Sequence, residues 1–267
     1  IIYSIYIMSK TKRTNRRQRS NRRQRSNRRQ RSNRRQRSNR RQRSNRRTNR
    51  KKQSKKSSKM VLHQIFFDMG KGKLKDIKPF YKCHLHNKKY CKKHNISYKL
   101  WSRKQIESLL NKPKNKEYKK LYYDFDQDIQ RVDFGRYLLL WNYGGLYLDL
   151  DICIIQSKSI KHLFDKDHFF VKWADDKRKL PYNAALGTKA NTELYKDILD
   201  HCKESYYEKR KQDIYKKWKG RFVFQTTGHY MLQRVLKKHK ISDFLNILKV
   251  HTKSGKIVQG PNPLLKI

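Results

Sequence analysis

Arg131-Val-Asp-Phe-Gly-Arg-Tyr-Leu-Leu-Leu-Trp-Asn-Tyr-Gly-Gly-Leu-Tyr-Leu-Asp-Leu-Asp151 reads as a helix, a glycine stop and a buried strand that ends in two aspartates. Ile129, Asp133, Arg136, Tyr137 and Leu140 recur at i, i+4, i+7, i+8 and i+11, so one otherwise apolar helical face carries two charges. Gly144-Gly145 supply the positive φ that closes a helix and turns the chain. Leu146, Leu148, Leu150, Ile152 and Ile154 then alternate with Tyr147, Asp149, Asp151, Cys153 and Ile155, the period of a strand. Asp149 and Asp151 therefore leave on one face, roughly 6–7 Å apart at the backbone. Such a pair can hold one hard divalent cation, one carboxylate directly and the other through water or a ligand hydroxyl. The plainer alternative is a strand end with two solvated acids.

Charge divides the chain. Of 267 residues with a net charge of +49, residues 1–59 hold 26 Lys and Arg and no Asp or Glu. The other 44 basic and 21 acidic residues leave +23 on residues 60–267, enough chain for one α/β domain with a sizeable core. From Asn15 the hexad Asn-Arg-Arg-Gln-Arg-Ser repeats five times through Ser44, and a sixth copy breaks at Thr48. Such a run has no apolar surface to bury and is expected to be disordered. It suits attachment of residues 15–59 to nucleic acid or another polyanion by counterion release, or else simply stays solvated. Cys83, Cys91, Cys153 and Cys202 are few and irregularly placed, which argues against a disulfide framework.

The motif Asp-x-x-Arg, an aromatic, then Gly-Gly-x-Tyr-x-Asp-x-Asp resembles the glycosyltransferases with a DXD sugar-binding region. These are the family of the yeast-type initiating mannosyltransferases, related to the sugar-transferring domains of large clostridial toxins. The resemblance implies an α/β GT-A fold: a Rossmann-like, mainly parallel central sheet with flanking helices over residues 60–267, preceded by the basic tail. It also implies sugar transfer from a UDP- or GDP-sugar, with Mn²⁺ or Mg²⁺ and with retention of configuration, to a glycan or protein acceptor. Relatives in eukaryotes often work behind a membrane anchor. No transmembrane stretch is visible here, and Ile1–Met8 is too short to span a bilayer, so a cytoplasmic setting is expected.

Residue by residue, the resemblance assigns Asp151 to the metal and Asp149 to the metal through water or to the donor ribose. Asp133 and Arg136 match the Asp and Arg that contact ribose and diphosphate or sugar; an internal Asp133–Arg136 ion pair at i, i+3 is the alternative. Tyr147 would line the donor pocket. Met60-Val-Leu-His-Gln-Ile-Phe-Phe is similar to the family's first strand, with Phe66 where a Trp stacks on the base and with His63 packing locally. Asn183 in Pro181-Tyr-Asn-Ala-Ala-Leu-Gly would lie near the sugar. Phe224-Gln-Thr-Thr-Gly-His-Tyr resembles a Thr-Gly-Pro turn before a helix, so backbone N–H groups about Gly228 would face phosphate or acceptor. His251, in an expected last strand over 248–251, is a candidate metal ligand.

Other segments follow from pattern. Residues 75–95 suit a polar helix, Ser97–Trp101 a second strand, 102–125 a charged helix and connector, and Asn191 the cap of a helix reaching Tyr207. Cys83, His84, His86, Cys91 and His94 crowd together, but Cys-x7-Cys-x2-His is not a structural zinc spacing, and a surface amphipathic helix is expected instead. The rival function is a polyanion-binding protein that keeps an inactive transferase-like domain.

Overall fold

The computed structural model describes residues 60–154, 159–173, 180–212 and 218–247. The chain divides into two units, Ile1–Ser57 and Ser58–Ile267, and every described residue lies in the second. The Arg-rich repeats, the expected strand over 248–251 and His251 fall outside the described residues.

In chain order the elements are β1 (Val61–Phe66), α1 (Lys78–Lys93), β2 (Ser97–Ser102), α2 (Arg103–Leu110), α3 (Lys119–Asp124), α4 (Asp128–Tyr143) and β3 (Gly145–Leu148). There follow β4 (His168–Trp173), β5 (Pro181–Thr188), α5 (Glu193–Arg210), α6 (Lys219–Thr226), α7 (His229–Lys238) and β6 (Leu245–Ile247). The sheet runs β2-β1-β3-β5-β4-β6. Pairs β1–β2, β1–β3 and β4–β6 are parallel; β3–β5 and β4–β5 are antiparallel. This is the mainly parallel α/β sheet of the GT-A expectation.

Alternation along the strands builds two cores. Leu62, Leu146, Leu148, Phe169 and Val171 point to one side, where Tyr90 and Cys91 of α1 meet them. Ile65, Tyr147, Phe170 and Leu186 point to the other, under α2 to α7. Lying between the sheet and other helices, α4 is buried nearly all round from Val132 to Trp141. Its first turn is not: Ile129 is 41% exposed, so the apolar face begins at Val132 and not at Ile129.

Three local expectations are corrected. Asn191 does not cap α5. It takes a left-handed φ of 58° and accepts from Lys114 Nζ at 2.6 Å, while Thr192 is the N-cap residue. The strand carrying the aspartates stops at Leu148, because Asp149 N–H donates to Ala184 O and the Asp149 carbonyl accepts from Ile152 N in a turn. Finally, Cys83 and Cys153 form a disulfide with Cα atoms 5.0 Å apart. Spacing along the chain does not signal it, since the two cysteines are 70 residues apart and meet only because α1 packs on the segment after β3.

The Gly144-Gly145 stop is as expected: φ is 64° and 95°, and a Cβ on Gly145 would collide with the Val61 carbonyl of β1. Gly145→Ala is expected to lower stability by about 3 kcal/mol, seen as a lower urea midpoint. Gly220→Ala, in open space on a helix, should leave the midpoint unchanged or raise it slightly.

Candidate active site

The site forms where β1, β3 and β5 meet the buried side of α4. Asp133 and Arg136 stand one turn apart on α4, and Arg136 Nη2 lies 2.7 Å from Asp133 Oδ1, with side chains 3% and 7% exposed for Arg136 and Asp133. The internal ion pair is therefore made. A guanidinium this deep needs further acceptors. Arg136 Nη1 donates to the Asn183 carbonyl at 2.6 Å and to Asp149 Oδ2 at 3.3 Å, and its centre lies 5.0 Å over the Tyr147 ring. Its Nε has no hydrogen-bond partner among the described residues.

Each acid around Arg136 that lies inside the protein is held by donors of its own. Asn183 Nδ2 and Thr227 Oγ1 donate to the two oxygens of Asp133, both at 3.1 Å. Tyr137 in turn donates to the Thr227 carbonyl at 3.0 Å, tying the α6–α7 turn to α4. Tyr147 donates to Asp149 Oδ1 at 2.7 Å, and Gln64 of β1 donates to the Asp149 carbonyl at 3.0 Å. Asp151 is exposed in the turn, and among the described residues no side chain donates to it.

The electrostatics follow from this crowding. Burial pushes the Asp149 carboxyl up to about 6; Arg136 pulls it down and Asp151 pushes it up again. Burial also raises Asp151 and Asp133. Burial opposes the Arg136 charge, but Asp149, Tyr147 and Asp133 outweigh it and hold the guanidinium charged. Three carboxylates about one guanidinium leave a formal charge of −2 when all are ionised.

A second set of contacts fixes the segment after the aspartates. Asn87, wholly buried on α1, donates to the Ile152 carbonyl at 2.8 Å and accepts from Ile154 N at 2.9 Å. His86 Nε2 lies 2.6 Å from the Ile154 carbonyl, and the Cys83–Cys153 disulfide lies beside them. No motif points to Asn87. Its one signal in the sequence is position, since it shares the buried face of α1 with Cys83, Tyr90 and Cys91 inside a lysine-rich helix.

The expected site residues thus converge in part. Asp133, Arg136, Tyr147, Asp149 and Asn183 form one network. Phe66 is half-buried at the end of β1 that follows Gln64. Gly228 is the N-cap residue of α7, but its N–H donates to the Val223 carbonyl at 2.9 Å and so offers nothing to a phosphate. Thr227 just before it is the residue through which the turn reaches the network, by its bond to Asp133. His63 packs locally: Trp101 Nε1 lies 3.0 Å from its Nδ1, its Nε2 donates to the Gly144 carbonyl, and burial lowers it to about 4. Among the described residues no group of three His, Cys, Asp or Glu gathers to hold a metal ion.

This chain belongs to the glycosyltransferases whose sugar-binding region contains a DXD motif: the family model matches residues 43–178. It is similar to inositol phosphoceramide mannosyltransferase 1 of Schizosaccharomyces pombe, with 36% identity over 53 residues, 20% of this chain and 16% of that protein. It is also similar to an uncharacterized glycosyltransferase of Acanthamoeba polyphaga mimivirus, with 28% identity over 108 residues, 39% of this chain and 42% of that one. The chain thus spans less than half the length of either relative. Among solved structures, the PaToxG glycosyltransferase superposes with a TM-score of 0.47 at 14% identity, over 67% of this chain and 69% of that one. The UDP-bound glycosyltransferase domain of the YGT toxin gives 0.37 at 11% identity, over 63% and 55%. Among the described residues no helix is long and apolar enough to cross a membrane.

Two measurements probe the site without substrate. The folded protein keeps the Asp149 proton up to about 6 while the unfolded chain releases it near 3.8, so folded protein binds more protons between these values. The Asp149 contribution to metal-free stability should therefore fall as pH rises through that window. In Asp149→Asn the fall from pH 4 to 6 should be shallower by about 1–2 kcal/mol, a value discounted because the side chain is 26% exposed. Asn87→Ala leaves the Ile152 carbonyl and Ile154 N–H without their buried partner and should cost about 2–3 kcal/mol in urea unfolding.

Proposed function

We propose that this glycosyltransferase takes its sugar from a UDP- or GDP-sugar with the help of Mn²⁺ or Mg²⁺ and passes it, with retention, to a glycan or protein acceptor. The observation that carries the reading is the acid excess around Arg136. A nucleotide diphosphate is itself anionic, and a site already at −2 would repel it unless a cation joins them. The residues fit such an ion: Asp151 presents a carboxylate to solvent, and its raised proton affinity is what a dication would reverse.

Asp151 would hold the metal directly. Asp149, whose oxygens already accept from Tyr147 and Arg136, suits the ribose or a metal-bound water. When bound, the ion neutralises charge that develops on the leaving diphosphate. The chain's own groups do the rest. Arg136 lies behind Asp149 and fixes its carboxylate, while Asp133 anchors Arg136 and the Thr227 turn. Phe66 would stack on the base, Tyr147 would wall the pocket, and Asn183 would face the sugar from β5. In the transfer, the bond from the anomeric carbon to the diphosphate breaks with its electron pair on the diphosphate. The acceptor hydroxyl oxygen forms the new bond, and its proton passes to the departing diphosphate oxygen that received the electron pair. The repeats of residues 15–59 would add attachment to nucleic acid or another polyanion.

Donor hydrolysis by the full chain, screened over UDP- and GDP-sugars with and without Mn²⁺, tests this. Release from one donor should need the metal and drop about 100-fold or more in Asp151→Asn. Equal rates with and without metal, and in the variant, would sink the metal reading. No donor binding at all beside tight, salt-sensitive RNA binding would favour the polyanion-binding alternative.

A further inference from the structure

On α6 and α7 the surface changes character. Trp218 begins α6 and is 65% exposed; Phe224, further along the same helix, is 43% exposed. Trp218, Arg221 and Gln225 recur at i, i+3 and i+7, and with Lys219, Phe224 and half-buried Tyr230 of α7 they line a depression of about 580 Å³. No carboxylate lines it among the described residues, and Lys219 and Arg221 make no ion pair there. Exposed aromatic rings gathered in one depression and rimmed by polar groups are the kind of surface that marks a binding site.

The depression is linked to the donor site along the chain, through the turn that follows α6. Phe224 packs on Gly228, where a Cβ would come within 2.9 Å of the Phe224 Cα, and Thr227 between them donates to Asp133. At its other end, Gln127 just before α4 donates to the Lys219 carbonyl at 3.1 Å. The ring of Phe224 lies 4.6 Å from His229 and 6.3 Å from Tyr230, giving an aromatic floor that runs toward the turn.

We infer that this depression is the acceptor platform, and that it takes a sugar chain bearing anionic groups such as sulfate, phosphate or carboxylate. The inference rests on the transferase reading above. Flat aromatic faces suit the apolar faces of sugar rings. Lys219 and Arg221 suit anionic substituents, Arg221 through paired donors. The charge pattern favours this occupant, because the platform is basic where the donor site is acidic. A neutral glycan would leave the two cations unused, and the donor nucleotide belongs with the aspartates.

The full chain is titrated by calorimetry and by tryptophan fluorescence with a heparin-derived sulfated hexasaccharide, with neutral maltohexaose, and with phosphatidylserine vesicles. Trp218→Ala and Lys219→Ala/Arg221→Ala are compared with the parent protein, each checked by thermal melting and by donor-nucleotide binding. The sulfated hexasaccharide should bind with a tryptophan fluorescence change that Trp218→Ala removes. The midpoint of that change should move to about tenfold higher probe concentration in Lys219→Ala/Arg221→Ala, whatever the repeats bind besides. Maltohexaose should bind at least about tenfold more weakly than the sulfated probe. Donor-nucleotide affinity should stay the same in all three proteins. No fluorescence change in the parent protein, or the same fluorescence midpoint in Lys219→Ala/Arg221→Ala, would overturn the platform, leaving the Arg-rich repeats as the binding element. Loss of vesicle binding with hexasaccharide affinity intact would also overturn it, in favour of a membrane surface. If the parent protein binds the hexasaccharide but no donor nucleotide, the transferase reading has failed and the acceptor role falls with it.

Discussion

The site depends on one buried guanidinium. Arg136 sits at 3% exposure in the middle of α4, a place where an uncompensated charge would cost several kcal/mol. Its partners come from three separate parts of the fold: Asp133 one turn earlier on α4, the Asn183 carbonyl on β5, and Asp149 just past β3. To supply them the sheet must bring β5 antiparallel alongside β3, with Tyr147 opposite Leu186 and Leu148 opposite Ala185. The ion pair is thus a constraint on topology as much as a local contact. Asp133 extends it outward, because the same carboxylate accepts from Thr227 and so fixes where the α6–α7 turn comes to rest.

The two aspartates of the motif occupy unlike environments although only one residue separates them. Asp149 is drawn inward by Tyr147 and Arg136, while Asp151 projects from the turn that ends the strand. That turn could drift if it were held only by β3. It is held from the opposite face of the sheet by α1, through Asn87, His86 and Cys83. The side of the protein remote from α4 therefore sets the position of Asp151. The open ends of parallel strands are where α/β proteins place ligands, and here both helical layers contribute to one such end.

Much of this is legible in the amino-acid sequence alone. The glycine stop, the Leu146–Leu148 alternation and the convergence of Asp133 and Arg136 on one helical face all appear where the pattern puts them. These features are local in sequence, or are carried by a motif that encodes a whole supersecondary unit. What the pattern does not carry is long-range. The end of β3 depends on Ala184, Asn87 binds residues 65 and 67 positions away, and Thr227 finds Asp133 across 94. Cys83 and Cys153 meet for the same reason. Ile129 continues the apolar spacing, yet it precedes the point where α4 dives beneath its neighbours, and periodicity cannot tell how far a neighbouring helix extends.

Charge gives the last step. Residues 60–267 carry +23 overall, yet the centre built on Arg136 is an island of acid. An anionic glycan approaching from solvent would be drawn to the basic surface and turned away from the aspartates. A nucleotide diphosphate would meet the reverse, repelled by the carboxylates unless a cation offset their charge. The two substrates of a transferase must sit side by side without exchanging places. On the proposed reading, a basic aromatic platform linked along the chain to the acidic site through Thr227 would separate them by sign of charge. The α6–α7 turn, tied to α4 through Tyr137 and Asp133, would then stand as the boundary between the two fields.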